Sequence, residues 1–382
     1  MDGPRACTPA DLTDVIALVD VALNRPGTGQ TFLTDYPVVY ERKNLENIRI
    51  LRVDGELAAV VPFVVWPVAF EGCRFSIGGI SPTGTALAHR KKGYGLQCLN
   101  DCLRRMEAIG CELSILRTKV ETFPFYQCGG YEAVQRQAVI YRLTRQDAGC
   151  FTAHGEDIVV PGQLTPAQLA AIQALHEAEG GGSRRASDRY PALFSLPKMK
   201  TLLAYRGPKL AGYLLVSAAI NMPGFLEAGG DADAVETLLH RAASELGETE
   251  ARNAHDNLNP SVMSRVLERC LPGRKQPTAE NRMVRINLPT AFFRRITPWL
   301  ERENRGVEHA FSLNVGGEAI SFHFGPAGLK LGTDRLPLHQ DLSRRQLANA
   351  VFGPHPSAGP EAAVRLGNLP PYYFPVWLLD RS

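Results

Sequence analysis

Residues 78–106 read GGISPTGTALAHRKKGYGLQCLNDCLRRM, a stretch that joins a strand pattern to a helix pattern through a basic loop containing glycine. The strand is predicted from Arg74 to about Thr85. The helix is predicted from about Tyr94 to Ile109, and Gly110 ends it. A strand that passes through a loop into a helix is typical of proteins that mix both element types in one layered domain, so we expect an α/β fold.

The loop itself has the composition of an anion site. In Arg90-x-x-Gly93-x-Gly95, the glycines let the backbone approach an anion, and the following helix start presents free N–H groups to it. Arg90, Lys91 and Lys92 add positive charge, so a pyrophosphate is the expected guest. The dinucleotide fingerprint and the P-loop need other glycine arrangements, and neither occurs here. The alternative interpretation is a basic surface loop at a helix start.

The segments around this stretch alternate helices and strands. Thr8 is predicted to cap a helix that begins at Pro9 and runs to about Leu23. Asp54-Gly55 adopts positive φ readily and predicts a tight hairpin between strands over 48–53 and 57–65. Two further strands are predicted over 113–116 and 131–143, the second as the last strand of this unit.

A similar order of elements then repeats. Apolar periodicity is lost after Arg145, which indicates a linker into a second domain. The second domain is predicted to contain strands over 158–160, 202–205, 210–216 and 225–228 and helices over 165–176, 233–246 and 261–270. A third pattern begins at Arg285, with helices predicted over 289–303 and 342–352 and strands over 310–315, 319–324 and 329–331. We therefore expect α/β domains with mixed (α+β) sheets over 1–147, 148–284 and 285–382.

Composition excludes several protein classes. A chain of 382 residues with 45% hydrophobic and 21% charged residues is sized for two or three globular domains. Its formal net charge of +3 gives no reason to expect nucleic acid or a membrane as a partner. The longest apolar stretch, residues 57–70, is short and broken by prolines, and the N-terminus has no secretory pattern. We expect a cytoplasmic protein.

The cysteines form no recognisable ligand or disulfide framework. There are eight, without a Cys-x-x-Cys pair or a histidine at zinc spacing, so reduced thiols and no metal site are expected. Cys98 and Cys102 are one helical turn apart and are interpreted as buried packing residues rather than ligands. Arg184 and Arg185, beside the glycines at 180–182, resemble a second phosphate site, but a flexible solvated loop is the favoured interpretation.

Two ordered motifs carry a resemblance to a known family. Arg90-x-x-Gly93-x-Gly95 resembles the signature of the GCN5-related N-acetyltransferases, which bind the pyrophosphate of acetyl-CoA. FPFYQCGGYEAV, residues 123–134, resembles the family's Tyr-x-x-x-Gly-Phe/Tyr segment and puts Tyr126 at the position often used as general acid. The resemblance implies an acetyl-CoA site made of Thr83, Gly84, Thr85, Arg90, Lys91, Lys92, Gly93, Tyr94, Gly95 and Leu96.

The three-part organisation narrows this further, because the whole chain resembles the Eis (enhanced intracellular survival) acetyltransferases. The resemblance implies tandem acetyltransferase domains, of which the second is degenerate and binds no CoA, and a C-terminal sterol-carrier-like domain. It also implies a homo-oligomer, such as a hexamer, and a terminal carboxylate, here of Ser382, that acts as general base. Glu121 and Thr122 stand where the family has a pair that contacts CoA. The tail ends in Asp-Arg-Ser instead of an aromatic residue, so substrate range is not carried over.

Three functions from different classes remain open. The first is an acetyl-CoA-dependent N-acetyltransferase that acts on a primary amine of a small molecule or peptide by direct attack in a ternary complex. Direct transfer is favoured over an acyl-enzyme at Cys128, because no cysteine is paired with a base in a known signature. The second is a CoA- or apolar-ligand-binding regulatory protein without turnover. The third is a structural or interaction protein.

Overall fold

Contacts divide the described chain into two compact units. The computed structural model describes residues 1–23, 32–70, 72–134, 136–179, 182–219, 222–246, 249–253 and 261–353. The first unit takes its described residues from 1–135 and 281–373, and the second takes them from 136–280. Among the helices of these ranges, none combines the length and the apolar character that crossing a membrane requires.

The elements follow one another in three blocks along the chain. The first block contains β1 Asp2–Ala6, α1 Leu12–Ala22, α2 Phe32–Asp35, β2 Ile48–Val53, β3 Glu56–Phe70, β4 Cys73–Ile80, β5 Gly84–Thr85, α3 Tyr94–Ala108, β6 Leu113–Arg117, α4 Phe123–Gln127 and β7 Glu132–Ala133. The second contains β8 Arg136–Leu143, β9 Asp157–Val159, α5 Pro166–Ala178, β10 Gly182–Ser183, α6 Tyr190–Phe194, β11 Met199–Arg206, β12 Lys209–Ala219, β13 Met222–Gly230, α7 Ala232–Leu246, β14 Thr249–Asn253, α8 Val262–Cys270 and β15 Lys275–Glu280. The third contains β16 Arg282–Ile286, α9 Pro289–Glu303, β17 His309–Val315, β18 Glu318–Gly325, β19 Gly328–Gly332, β20 His339–Leu342 and α10 Arg344–Phe352.

The main sheet of the first unit has the order β1-β2-β3-β4-β6-β16-β7. Its pairs are antiparallel except for β4 with β6, which run parallel. The predicted hairpin between β2 and β3 is confirmed, with Asp54 and Gly55 at φ 52° and 83°. Helix α3 packs on this sheet through Cys98, Leu99 and Cys102, which are fully buried, as the interpretation of the two cysteines as packing residues predicts.

The sheet of the second unit repeats this arrangement. Its order from one end is β9-β11-β12-β13-β14-β8-β15, and its only parallel pair is β13 with β14 within the described residues. The helix α7 follows β13, as α3 follows β4. Thr165 caps α5 with a capping box, which confirms the predicted start of that helix. The α/β class with mixed sheets is confirmed.

The chain passes from the first sheet to the second between β7 and β8, and it returns to the first sheet at β16. The single strand predicted over 131–143 is wrong, because the structure contains β7 in the first sheet and β8 in the second. The position beside β7 is filled by β16, which begins at Arg282. The three predicted domains remain a prediction, but the boundary after residue 284 would cut β16 in two.

The remaining elements of the first unit form a second sheet, with the order β19-β18-β17-β20, that packs against α9. Phe293 of α9 meets Phe322 of β18 edge to face, with ring centroids 4.9 Å apart. On its other side α9 contacts β4, where Phe292 and Phe75 lie 5.8 Å apart. This segment therefore shares a core with the main sheet of its unit.

Candidate functional site

The basic loop begins where two parallel strands separate. The pairing of β4 with β6 ends at Gly79 opposite Ile115. The chain then stays beside β3 as β5, where Gly84 pairs with Val60. Strand β6 pairs with β16 on the side away from β4. Among the described residues β5 pairs with β3 alone, so its opposite edge has no strand partner.

The free side of β5 presents backbone groups of the predicted site. The N–H of Ala86 donates to the carbonyl of Ala58 in β3 at 3.0 Å. Because successive residues of a strand point their backbone groups to opposite sides, the N–H and C=O of Thr85 point away from β3. The carbonyl of Thr85 accepts a hydrogen bond from Nε of Arg90 at 3.3 Å. The structure thus brings the predicted strand residues and the first basic residue of the loop together.

The start of α3 leaves backbone donors open beside these groups. Gly93 occupies the N-cap position at φ 82°, and no side chain of the described residues caps the helix. The first bond of the helix runs from the N–H of Gln97 to the carbonyl of Gly93 at 3.1 Å, so the N–H groups of residues 94–96 have no partner within the helix. Arg90, Lys91 and Lys92 are exposed at this end.

Gly95 lets three elements approach one another. A Cβ atom at this position would lie 2.8 Å from Oγ1 of Thr85 and 3.4 Å from the ring of Phe125. Any side chain would therefore force the Thr85 hydroxyl or the Phe125 ring to shift at the start of α3. Phe125 was missed by the sequence analysis, because its role here is steric and no motif records it.

Tyr126 lies on α4 and is 8% exposed. Its ring packs edge to face on Phe125 and Tyr131, with centroids 4.8 and 6.1 Å away. Burial raises the pKa of the Tyr126 phenol, and the nearby hydroxyl of Thr83 lowers it in part. That hydroxyl oxygen is buried and makes no hydrogen bond of standard geometry within the described residues. The phenol is therefore held protonated, next to the predicted cofactor strand.

The other predicted site residues are less closely tied to the loop. Glu121 and Thr122 lie exposed on a 3₁₀ turn, residues 120–122, directly before α4. The Thr122 hydroxyl donates to the carbonyl of Lys119 at 2.7 Å. Ser382 lies outside the described residues, so the role of its carboxylate stays a prediction.

A buried polar network holds the segment that carries Tyr126. The hydroxyl of Tyr131 donates to Oγ of Ser114 at 2.7 Å, and Ser114 donates to Oδ1 of Asn287 at 2.9 Å. Arg285 donates to the same oxygen at 2.6 Å and reaches Glu107 at 2.8 Å. The sequence gives no signal for this network, because Asn287 and Ser114 are separated by 173 residues.

The corresponding helix start in the second unit has the opposite charge. Asp231 and Asp233 lie at the start of α7, and Glu236 follows one turn later. The Glu236 carboxylate already accepts from the backbone N–H of Thr152 and contacts His154 and Arg269, with Nη2 of Arg269 at 2.5 Å. His154, Asp233 and Glu236 are close enough to share a metal ion, but a guanidinium already sits on the central carboxylate.

The favoured interpretation of Arg185 as part of a solvated loop is wrong. Its guanidinium is fully buried and binds both carboxylate oxygens of Glu227, at 2.9 and 2.5 Å. Tyr213 donates to the same carboxylate at 2.6 Å. The paired charge occupies the interior of the second unit and leaves that arginine unavailable to an external phosphate.

Residues 4–134, about a third of the chain, match a family model described as an acetyltransferase (GNAT) domain. The match runs from within β1 through β7 and contains the basic loop, Gly95 and Tyr126. It supports acyl transfer as the general class of activity. A search of curated proteins finds no match to this chain.

Solved structures with a similar fold extend over nearly the whole chain. A GCN5-related N-acetyltransferase from Kribbella flavida is 16% identical, with a TM-score of 0.69 over 95% of this chain and 90% of that chain. One from Anabaena variabilis is 13% identical, with a TM-score of 0.68 over 91% and 89%. Eis1 from Mycobacterium abscessus is 13% identical, with a TM-score of 0.59 over 92% and 89%. At these identities the likeness concerns the fold.

Proposed function

We propose that the chain is an N-acetyltransferase that moves the acetyl group of acetyl-CoA to a primary amine of a small molecule or peptide. The observation that carries this proposal is the coincidence, at the start of α3, of open backbone donors, exposed cations and a glycine against which the side chains of Thr85 and Phe125 pack closely. These features lie within the segment that matches an acetyltransferase domain.

Two parts of acetyl-CoA, the pyrophosphate and the pantetheine arm, have complementary groups in this segment. The pyrophosphate would accept hydrogen bonds from the N–H groups of residues 94–96, with charge supplied by Arg90, Lys91 and Lys92. The pantetheine arm carries amide groups, and the free side of β5 offers backbone groups to pair with them, as an added strand would. Gly95 keeps the two subsites adjacent, because a side chain there would press on the Thr85 hydroxyl and the Phe125 ring.

The proposed reaction is direct attack in a ternary complex. The neutral amine forms a bond to the thioester carbonyl carbon, the carbon–sulfur bond breaks, and the CoA thiolate takes the phenolic proton of Tyr126. The proton that the new amide nitrogen releases then returns to the Tyr126 phenolate. The raised pKa of Tyr126 keeps that proton in place at neutral pH. The ammonium proton of the acceptor must go to a base, for which the Ser382 carboxylate is the candidate. Cys128 donates to the carbonyl of Pro124 at 3.2 Å and has no basic partner among the described residues.

The second unit is proposed to be structural. Its corresponding helix start carries Asp231, Asp233 and Glu236, which would repel a pyrophosphate, and the buried Arg185 is committed to Glu227. We therefore expect one acetyl-CoA per chain. The alternative function, a CoA-binding regulatory protein without turnover, uses the same loop and differs only in whether the acetyl group is transferred.

The test is calorimetric titration of acetyl-CoA into the wild type and into Gly95→Val, followed by an amine screen that detects free thiol. Gly95→Val should weaken acetyl-CoA binding at least tenfold, and Gly162→Val, at a glycine with open space around it, should not. Unchanged affinity in Gly95→Val would refute the proposed acetyl-CoA site. If acetyl-CoA binds but no amine in the screen releases thiol, the chain is a CoA-binding regulatory protein and not an acetyltransferase.

A further inference from the structure

Three potential metal ligands meet at the surface of the second unit. Asp233 and Glu236 lie one turn apart on α7, and His154 lies in the segment before β9. Their ligand atoms are all within 4.8 Å of one another. The side chains of His154 and Asp233 are 31% and 57% exposed, so an ion can reach the cluster from solvent. His154 and Glu236 are 82 positions apart, which is why the spacing of ligands along the sequence does not reveal the cluster.

The separations of these atoms suit one small divalent cation. Zinc binds nitrogen and carboxylate oxygen at about 2.0–2.2 Å, so the ligand atoms of a tetrahedral site lie roughly 3.3–3.6 Å apart. In the structure, Nε2 of His154 lies 3.1 Å from Oε2 of Glu236 and 4.0 Å from Oδ1 of Asp233. The two distances bracket the tetrahedral separation, and small side-chain rotations would equalise them.

Glu236 is held so that one of its carboxylate oxygens meets the histidine. Its Oε1 accepts from the N–H of Thr152 at 2.8 Å and from the thiol of Cys270 at 3.4 Å, which leaves Oε2 beside His154. Hydrogen bonds of this kind orient ligating carboxylates in metal sites. Although desolvation raises the pKa of Glu236, the bond from Thr152 and the neighbouring groups lower it to about 2. The carboxylate is therefore ionised at neutral pH, as a metal ligand must be.

A guanidinium occupies the position that an ion would take. Nη2 of Arg269 lies 2.5 Å from Oε2 of Glu236, the oxygen that also meets His154. The arginine side chain is 53% exposed and the Glu236 side chain is 7% exposed, so the guanidinium can leave while the carboxylate stays in place. The guanidinium brings one positive charge to this oxygen, whereas Zn²⁺ brings two and binds all three groups. Arg269 is thus a competitor for the place of the ion.

We propose that His154, Asp233 and Glu236 bind one Zn²⁺ ion, which displaces the guanidinium of Arg269 from the Glu236 carboxylate. Nε2 of His154 and one oxygen of each carboxylate are the ligands, and a water molecule completes a tetrahedral site. Zinc accepts nitrogen and oxygen ligands together, whereas Mg²⁺ and Ca²⁺ favour oxygen alone. The bound ion joins the segment before β9 to α7. The site is independent of whether the loop at α3 binds acetyl-CoA.

The probe is zinc chloride, titrated by calorimetry into the full chain after treatment with a chelator and removal of that chelator. One Zn²⁺ per chain is expected, and equal concentrations of Mg²⁺ or Ca²⁺ should not displace it. Cobalt(II) reports the geometry, because four-coordinate cobalt absorbs visible light more strongly than the six-coordinate aqueous ion. Absence of saturable zinc binding, or a cobalt spectrum like that of the aqueous ion, overturns the proposal.

Two neighbouring carboxylates provide a matched pair of variants. Asp233→Asn should weaken zinc binding at least tenfold, because it removes a ligand. Asp231→Asn removes the same charge immediately before α7, but Asp231 pairs with Arg206 at 3.0 Å and lies outside the cluster. Zinc affinity should therefore change less than twofold in Asp231→Asn. Equal losses in the two variants would mean that zinc responds only to the acidic helix start, and would refute the site.

Arg269→Gln tests the competition directly. Zinc affinity should rise at least threefold in this variant, since no guanidinium then occupies Oε2 of Glu236. His154→Gln should weaken zinc binding at least tenfold and abolish the visible cobalt absorption, and circular dichroism before the titration checks that each variant is folded. Weaker zinc binding in Arg269→Gln, or unchanged affinity in a folded His154→Gln, contradicts the proposal.

Discussion

Tyr126 and Tyr131 are neighbouring buried phenols with different surroundings. Tyr131 is completely buried, and its hydroxyl is committed to Ser114. Tyr126 faces the Thr83 hydroxyl at the end of the predicted cofactor strand. The pair therefore offers a matched comparison, in which removal of either hydroxyl changes the same number of atoms in the same core.

Tyr126→Phe is expected to lower turnover at least tenfold while acetyl-CoA affinity changes less than twofold, because the proton for the thiolate is lost and the binding groups remain. Tyr131→Phe should instead lower the melting temperature and spare turnover, since it breaks a buried hydrogen bond. Steady-state kinetics, calorimetry and thermal melts on both variants give the comparison. Full turnover in Tyr126→Phe together with an inactive Cys128→Ala would replace direct transfer by a covalent route.

The pH profile gives a second check on the same phenol. Burial raises the pKa of Tyr126 above the ordinary tyrosine value, so the protonated form that acts as acid persists to higher pH. Loss of turnover from this group should therefore begin only above the usual tyrosine pKa. An alkaline decline that begins near neutral pH and is identical in Tyr126→Phe would assign the decline to another group.

The sequence predicted the residues of the loop better than the contacts they make. Arg90, Gly93 and Gly95 belong to a short local motif, which spacing alone reveals. The approach of Phe125 to Gly95 joins residues 30 positions apart, and it depends on how α4 packs. A single sequence carries no record of such packing.

Helix α1 shows how ion pairs override a local helix signal. Thr8 and Pro9 predict a helix start, yet α1 begins at Leu12. The Asp11 carboxylate instead accepts from the N–H and the hydroxyl of Thr8, at 3.0 and 2.7 Å, while Arg5 reaches it from β1 at 2.8 Å. Arg52 of β2 adds a third contact at 3.0 Å. One carboxylate thereby joins two strands to the start of a helix.

Asp11→Asn is expected to lower the free energy of unfolding by roughly 1–3 kcal/mol at pH 7, because two guanidinium groups lose their common acceptor. The hydrogen bond from Arg5, despite some desolvation, holds the pKa of Asp11 well below its usual range. A carboxyl with a lowered folded pKa stabilises the fold above its unfolded pKa, and this contribution is lost as the pH falls. The wild type should thus lose stability between pH 5 and pH 3 more steeply than Asp11→Asn, by chemical denaturation.

Asp14→Asn is the control for this variant. Asp14 binds the same Arg52 at 2.6 Å, but its side chain is 54% exposed, so solvent weakens the pair. A loss in Asp14→Asn as large as that in Asp11→Asn would mean that Arg52, rather than the Asp11 carboxylate, supplies the stability.

Assembly of several chains is the largest-scale expectation for this protein. The resemblance to Eis-type proteins implies a homo-oligomer, and we expect light scattering of the purified chain to give a mass several times 41.8 kDa. The mass should not depend on acetyl-CoA, since the proposed site uses residues of one chain. A monomer across a hundredfold range of protein concentration would refute the expected oligomer.

The sequence patterns were least able to predict that β8 joins the second sheet and that β16 joins the first. Alternating apolar residues indicate a strand, but both sheets offer the same place for it, beside β6 in the first and beside β14 in the second. The choice depends on pairings across more than a hundred residues. The predicted catalytic domain, 1–147, consequently ends on a strand of the other sheet and lacks β16 of its own.

The structure predicts how the first unit can be made to stand alone. In the antiparallel pair of β7 and β16, the N–H of Val134 donates to the carbonyl of Arg282 at 3.0 Å, so these two residues face each other at the point where the chain leaves and returns. A two-residue Asn-Gly turn should close this pair as a hairpin. We expect a chain of 1–134, Asn-Gly and 282–382 to fold cooperatively and to bind acetyl-CoA within threefold of the full chain.

The fragment 1–147 should behave in the opposite way. Without β16 and the residues that follow it, one edge of β6 loses its partner and β7 loses the strand with which it pairs. The buried Ser114, which binds Tyr131, also loses its bond to Asn287. Unpaired strand edges of this kind favour aggregation. Circular dichroism, chemical denaturation and calorimetry on both chains test the two expectations. If 1–147 folds and binds as tightly as the hairpin-closed chain, β16 is dispensable, and the crossing of the two strands has no part in forming the acetyl-CoA site.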